Sequence, residues 1–206
     1  IARFWQNRDI QELYLQLLRL ADGVQTSTAY LAEQWRSMGA STVQVFPNQL
    51  VHLQPLAELA ERPFTVGWAG SPGHFADLYH VAPHLQQWLD GHQDAHLAIM
   101  TNELAQEFFQ LDPSRFQFKP FGPIESYLDF LGSIDVGIAP LLPTQYNKGR
   151  SDVKFLEYAS CGVAGIYQNL EPYRQSVKDC ETGLLFSTPE ELIEQLDQLY
   201  EDRELR

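Results

Sequence analysis

Short apolar runs alternate along this chain with longer amphipathic ones, the pattern of a parallel sheet wrapped by helices. Residues 9–21 set Leu13, Leu15, Leu17, Leu18 and Leu20 among polar positions and predict a helix. Short strands are predicted over 23–27 and 43–46, the second stopped by Pro47-Asn48, with a helix over 28–38 between them. From Pro55 to Pro63 the sequence predicts a connecting turn or short helix. A more regular series begins at Phe64. Strands are predicted over 64–69, 95–100, 116–121, 135–140, 163–167 and 183–186, and helices over 76–90, 102–110, 124–132, 152–161, 171–179 and 189–203. Six strands with five crossovers define the expected fold class: α/β, a doubly wound parallel sheet of Rossmann type. Ligands of such sheets bind beyond the carboxyl ends of the strands. The loops of interest are therefore 70–74, 101–102, 122–123, 141–151 and 168–172.

Charge narrows the partners. The 206 residues hold 14 Lys and Arg against 27 Asp and Glu, a net charge of −13 that opposes general affinity for nucleic acid or an anionic membrane. The final stretch, 188–206, carries seven of those carboxylates and two arginines, and reads as a solvated outer face. Two cysteines, Cys161 and Cys180, imply no disulfide framework, point to a reducing compartment and read as small buried hydrophobes. No apolar run approaches the ~20 residues of a membrane-spanning helix. The chain opens at Ile1 with a charged helical stretch and not a signal peptide, and is expected to be a piece of a longer protein.

Three cations gather against this acidic background. Lys148, Arg150 and Lys154 fall within seven positions and straddle a loop-to-helix junction, with Ser151 or Asp152 at the N-cap. A helix start offers unpaired N–H groups and a partial positive charge, which attract phosphate or diphosphate. On that helix Lys154, Glu157, Tyr158 and Cys161 share one face by spacing, and Phe155, Leu156 and Ala159 are expected to pack on the sheet. The cation would meet a nucleotide's phosphates and the carboxylate its ribose hydroxyls; spacing alone favours a solvated i,i+3 ion pair. The run Gly67-Trp68-Ala69-Gly70-Ser71-Pro72-Gly73-His74 puts small residues after the first strand of the series, where a backbone can approach a ligand closely. It lacks the full G-x-G-x-x-G spacing. His74 is either a donor to a phosphate or sugar hydroxyl or a plain helix cap. His80, His84, His92 and His96 show no convincing metal-ligand spacing, and no G-x-S-x-G elbow surrounds Ser27 or Ser71.

The run Ala139-Pro140-Leu141, Tyr146 through Tyr158 (YNKGRSDVKFLEY), Gly162-Val163, Tyr173 and Glu181 through Phe186 (ETGLLF) resembles the donor half of group 1 (family 4) glycosyltransferases, and within them a bacterial subset with an FN-x-GKSD-x-KFLEY run. Ala21 through Val24, Ser27-Thr28, Leu31-Ala32-Glu33 and Val45 through Asn48 resemble the end of that family's acceptor domain. Trp68 through His74 with Asp77-Leu78 resembles its first donor-domain loop. The resemblance implies a GT-B fold. Residues 1–48 would be the end of the N-terminal acceptor domain and crossover, and 49–206 the Rossmann-like donor-binding domain. It implies retaining transfer of a sugar from a nucleotide-diphosphate sugar to a hydroxyl acceptor, without an essential metal or other cofactor. Lys148, Arg150 and Lys154 are the expected catalytic cations, stabilising charge on the departing diphosphate. Gly70, Ser71, His74, Asn147, Gly149, Ser151, Asp152 and Glu157 are the expected donor-binding residues. Of the family's two glutamates separated by seven residues, Glu157 aligns with the second, which usually contacts the ribose, and Gly149 stands at the first; the basic loop is expected to compensate.

The expected partners are a nucleotide sugar, an acceptor glycan or lipid-linked saccharide, and the missing N-terminal domain of the same chain, with no nucleic acid. The expected setting is cytoplasmic polysaccharide or glycoconjugate synthesis, peripheral at the inner membrane face. A non-catalytic nucleotide-sugar or glycan-binding module is the alternative; an epimerase of the same fold would need acid and base residues that the sequence does not display.

Overall fold

A computed structural model describes residues 7–50 and 62–206. The turn or short helix expected over 55–63 falls, apart from its last two residues, outside the described residues. The first part holds helix α1 (Arg8–Leu20), strand β1 (Val24–Thr26), helix α2 (Ala29–Ser37) and strand β2 (Val43–Val45), the two strands pairing in parallel. Asn7 and Thr28 cap the two helices with side-chain oxygens, on the N–H of Asp9 and of Leu31. Leu18, Ala32, Ala40 and Val43 close a small core between them.

The second part is a six-stranded parallel sheet in the order β5-β4-β3-β6-β7-β8. Its strands are β3 (Thr65–Ala69), β4 (His96–Thr101), β5 (Phe116–Pro120), β6 (Val136–Ala139), β7 (Ala164–Gln168) and β8 (Leu184–Phe186), each within a residue or so of the range its apolar run predicts. The helices are α3 (Phe75–Gly91), α4 (Ile124–Leu131), α5 (Gln145–Lys148), α6 (Val153–Ser160), α7 (Glu171–Arg174) and α8 (Pro189–Glu201). Alternate strand residues go to opposite faces. Val66, Trp68, Leu97, Ile99, Val136, Ile138, Ile166 and Phe186 meet α3 and α8. On the other face Ala69, Ala98, Met100 and Ala139 lie with Phe130, Tyr158 and Tyr173. On that second face Ala69, Ala98, Gly137 and Ala139 leave room for the large buried rings of Phe130 and Tyr158 on α4 and α6. Gly137 shows why: a β-carbon there would stand 2.4 Å from the ring of Tyr158.

Several expectations are corrected. The helix predicted over 102–110 is a 3₁₀ turn, Glu103–Phe108, and the one over 171–179 stops at Arg174. The loop 141–151 contains the one-turn helix α5. The face assignment of α6 is reversed at two positions: Tyr158 is fully buried against the sheet and Ala159 is exposed. Cys180 is not a buried hydrophobe; it is exposed, in the left-handed region with φ of 61°, and Cys161 is half-buried.

Strand order reverses between β3 and β6, because the chain runs outward through β4 and β5 before returning to the far side of β3. The loops leaving these two strands diverge and leave a crevice at their carboxyl ends. Those loops are 70–74 and 140–152.

Candidate functional site

The crevice is a cleft of about 300 Å³. One wall is Trp68, Gly70, Ser71 and His74 from β3 and its loop; the other includes Arg150, Ser151, Lys154 and Glu157 from the end of the β6 loop and α6. An adjoining cavity of about 360 Å³ shares Gly70, Lys154 and Glu157, and adds Met100, Phe121, Ile124 and Tyr127. Lys154 and Glu157 thus form the partition between a polar cleft and a more apolar one.

Lys154 sits in the first turn of α6 and is only partly exposed. Its ammonium donates to the carbonyl of Ala69 at the end of β3 and lies 5.8 Å from the ring centroid of Tyr158. Burial pushes its pKa down to about 8, the charge of Arg150 adding to that and Glu157 opposing it. Glu157, one turn on, accepts a hydrogen bond of 2.6 Å from the hydroxyl of Tyr127 on α4. Burial, then the neighbouring Tyr158 and Glu157, hold the Tyr127 hydroxyl protonated far above its ordinary range. Asp152 occupies the N-cap of α6 but does not cap with its side chain, which accepts instead from Ser176 Oγ at 2.5 Å. The opening N–H groups of α6 therefore keep their partial charge beside Ser151 and Lys154.

Arg150 Nη2 faces Nε2 of His74, whose Nδ1 lies 2.8 Å from Asp77 Oδ2. The guanidinium carbon is 4.8 Å from the Tyr146 ring centroid. Asp77, in the first turn of α3 and 3% exposed, also accepts from Leu142 N–H at 2.8 Å and from Asn147 Nδ2 at 2.7 Å.

The structure thus brings Gly70, Ser71, His74, Arg150, Ser151, Lys154 and Glu157 to one cleft. The other expected residues lie elsewhere. Lys148 turns to Glu171, 3.7 Å from its carboxylate. Asn147 is buried beneath the loop, donating to Asp77 and to the Leu142 carbonyl. Gly149 ends α5, and a β-carbon there would stand 3.0 Å from Leu31 of α2. Asp152 holds Ser176. Sequence reasoning gives no role to Asp77, Tyr127 or Tyr173, although Asp77 and Tyr173 stand in the runs that carry the family resemblance. Asp77 also leaves a local signal, an acid one turn after His74 at the start of a helix.

Residues 65–202, well over half of the chain, match the family described as glycosyl transferases group 1, and the chain belongs to that family. Its fold is that of the C-terminal half of GT-B enzymes. HepE of Anabaena, solved with UDP and glucose, superposes with a TM-score of 0.74 at 13% identity over 97% of this chain and 59% of HepE. A TarM variant of S. aureus, solved with fondaparinux, α-GlcNAc-glycerol and UDP, gives 0.74 at 8% identity over 96% of this chain and 41% of TarM. The C-terminal domain of LpcC, a group 1 family protein of Francisella tularensis, gives 0.53 at 16% identity over 70% of this chain and 78% of that domain. The chain thus spans less than two thirds of HepE and of TarM. No curated protein sequence matches it. Among the described residues no helix is long and apolar enough to cross a membrane.

Proposed function

We propose that this chain is the nucleotide-sugar side of a glycosyltransferase that moves a hexose, with retention of configuration, from a nucleoside-diphosphate donor to a hydroxyl of a growing glycan or glycoconjugate. The observation that carries this reading is the meeting of Arg150, Lys154 and the uncapped start of α6 at the point where strand order reverses. A diphosphate set there finds two cations and a positive helix end, and Glu157 is one helical turn from the ammonium, within a nucleotide's length, for the ribose hydroxyls. The adjoining cavity, with Met100, Phe121 and Ile124, suits the planar base. HepE and TarM, solved with UDP, support that donor class.

As the anomeric bond breaks, negative charge grows on the leaving diphosphate. Donors already fixed in place stabilise it without reorganising. Arg150 and Lys154 are so placed, and charge neutralisation by these side chains is the basis for proposing transfer without a metal ion. Lys148 is assigned a loop-anchoring role through Glu171. Residues 1–48 are read as the close of the acceptor domain and 49–206 as the donor-binding domain. The proposed setting is the cytoplasmic face of a membrane that carries lipid-linked acceptors.

Titration calorimetry against UDP, GDP and ADP, in buffer containing EDTA, tests the reading. Binding of one nucleotide, weakened at least tenfold by Arg150→Ala or Lys154→Ala, is the expected result. Binding that both variants leave intact would place the nucleotide elsewhere. Nucleotide binding without sugar transfer when the acceptor side is supplied would favour a non-catalytic module.

A further inference from the structure

Asp77 is a carboxylate at 3% exposure, and a charge at that depth persists only where hydrogen-bond donors surround it. Leu142 N–H and Asn147 Nδ2 reach Oδ1 and fasten the loop that follows β6. The third contact, from His74 to Oδ2, ties the end of the β3 loop to the first turn of α3. Its consequence lies across the ring, where Nε2 faces Nη2 of Arg150. A guanidinium only donates, so Nε2 accepts and the ring proton stands on Nδ1, towards Asp77. The bonds run carboxylate, imidazole, guanidinium, each fixing the group after it, with an ionised group at both ends. Arg150 is held a second time by the Tyr146 ring. Its Nε is buried and has no protein partner among the described residues.

We propose that His74 is a positioning residue: gripped by Asp77, it holds Arg150 so that the guanidinium meets the donor diphosphate with its remaining N–H groups already fixed. The role rests on the nucleoside-diphosphate reading of the cleft. His74 then contributes through the arginine and not by its own contact with the ligand. A long side chain immobilised before binding loses less freedom when the ligand arrives. The benefit therefore shows in nucleotide affinity more than in the stability of the fold.

Two measurements test this, the first without any ligand. Long-range ¹H–¹⁵N correlation spectra of the free chain are expected to show the His74 proton on Nδ1. A proton on Nε2 overturns the relay and leaves the nucleotide reading standing. The second is a double-mutant cycle by calorimetry against UDP, GDP and ADP, using whichever the wild-type chain binds most tightly. His74→Ala is expected to weaken binding about tenfold, the effect of losing one charge-assisted hydrogen bond. Arg150→Ala is expected to weaken it further, with Lys154 keeping the residual affinity measurable. The double variant should bind no more weakly than Arg150→Ala, since the histidine acts through the arginine. His74→Gln, whose side-chain carbonyl can still accept from Arg150, should recover part of the loss. Additive losses would make His74 an independent contact and overturn the proposal. If the wild-type chain binds none of the three nucleotides, the reading of the cleft and this role fall together, whatever tautomer the spectra report.

Discussion

The ring of Tyr158 fills the space where residue 137 would carry a side chain: a methyl group built on Gly137 would stand 2.4 Å from Cε2 of that ring. The contact seats α6 on β6, and the Tyr158 hydroxyl completes it by donating to the Ile138 carbonyl at 3.2 Å. Lys154, one turn before Tyr158, is thereby brought to the end of β3, where its ammonium meets Ala69. Gly137→Ala is expected to lower stability by about 3 kcal/mol, since neither a central strand nor a fully buried ring has room to give. Nucleotide affinity should fall with it as α6 shifts. Urea denaturation measures the first; a loss below about 1 kcal/mol would show that α6 is not fixed by this contact.

Lys154 exchanges stability for a charge at the cleft. Its folded-state pKa of about 8 lies below the ~10.4 of an unfolded lysine. Between those values the unfolded chain binds more protons, so stability rises with pH across the window, and the full penalty for the buried charge is present below pH 8. Lys154→Met removes that penalty. The variant should melt about 3 °C above wild type at pH 7 and should not share the wild-type gain between pH 8 and 10. Nucleotide binding should move the other way. It should weaken in the wild type as pH rises through about 8 and be nearly abolished at every pH in the variant. Scanning calorimetry and binding titrations over pH 6–10 measure both; a variant less stable than wild type at pH 7 would contradict the sign.

The strands were legible because each is a short apolar run bounded by turn residues, and 64–69 and 116–121 match β3 and β5 to within a residue. The cation-bearing start of α6 was legible from composition, as Lys148, Arg150 and Lys154 stand out in an acidic chain. Which face of α6 meets the sheet was not. Tyr158 and Phe155 are both aromatic, and the choice between them is made by Gly137 and the sheet, beyond the reach of helical spacing. Lys148 stands near the other cations in sequence, yet it closes α5, which turns it to Glu171. Four residues are too few for periodicity to reveal such a helix. Asp77 was matched by resemblance but given no task, because its partners Leu142 and Asn147 lie 65 and 70 positions away.

Glu157 owes its orientation to a residue on another helix. Tyr127 donates to it at 2.6 Å from α4, and the buried hydroxyl stays protonated at any working pH. Tyr127→Phe keeps the ring in its packing and deletes only this bond. The carboxylate should then swing between the two cavities, and affinity for a nucleoside diphosphate should fall about fivefold. The effect on a ribose-free ligand such as pyrophosphate should be much smaller, because the carboxylate serves the sugar hydroxyls and not the phosphates. Calorimetry with both ligands checks the difference; equal losses would detach Glu157 from ribose recognition.

Asp77→Asn separates the two tasks of the buried carboxylate. The amide oxygen can still accept from Leu142 and Asn147, so the loop after β6 should keep its place. The amide nitrogen then faces Nδ1 of His74 and, being a donor, requires that nitrogen to accept. The ring proton moves to Nε2, where it meets the N–H of Arg150 instead of a lone pair. Two donors facing one another repel, and the guanidinium leaves its position. Affinity for the nucleotide should drop about tenfold, as for His74→Ala, while the variant melts within a few degrees of wild type. Asp77→Ala is the contrast: it strands the Leu142 and Asn147 donors in the interior and should cost about 3 kcal/mol of stability or more. Should Asp77→Asn bind nucleotide as tightly as the wild type, Arg150 would have to be held by something other than the Asp77–His74 pair.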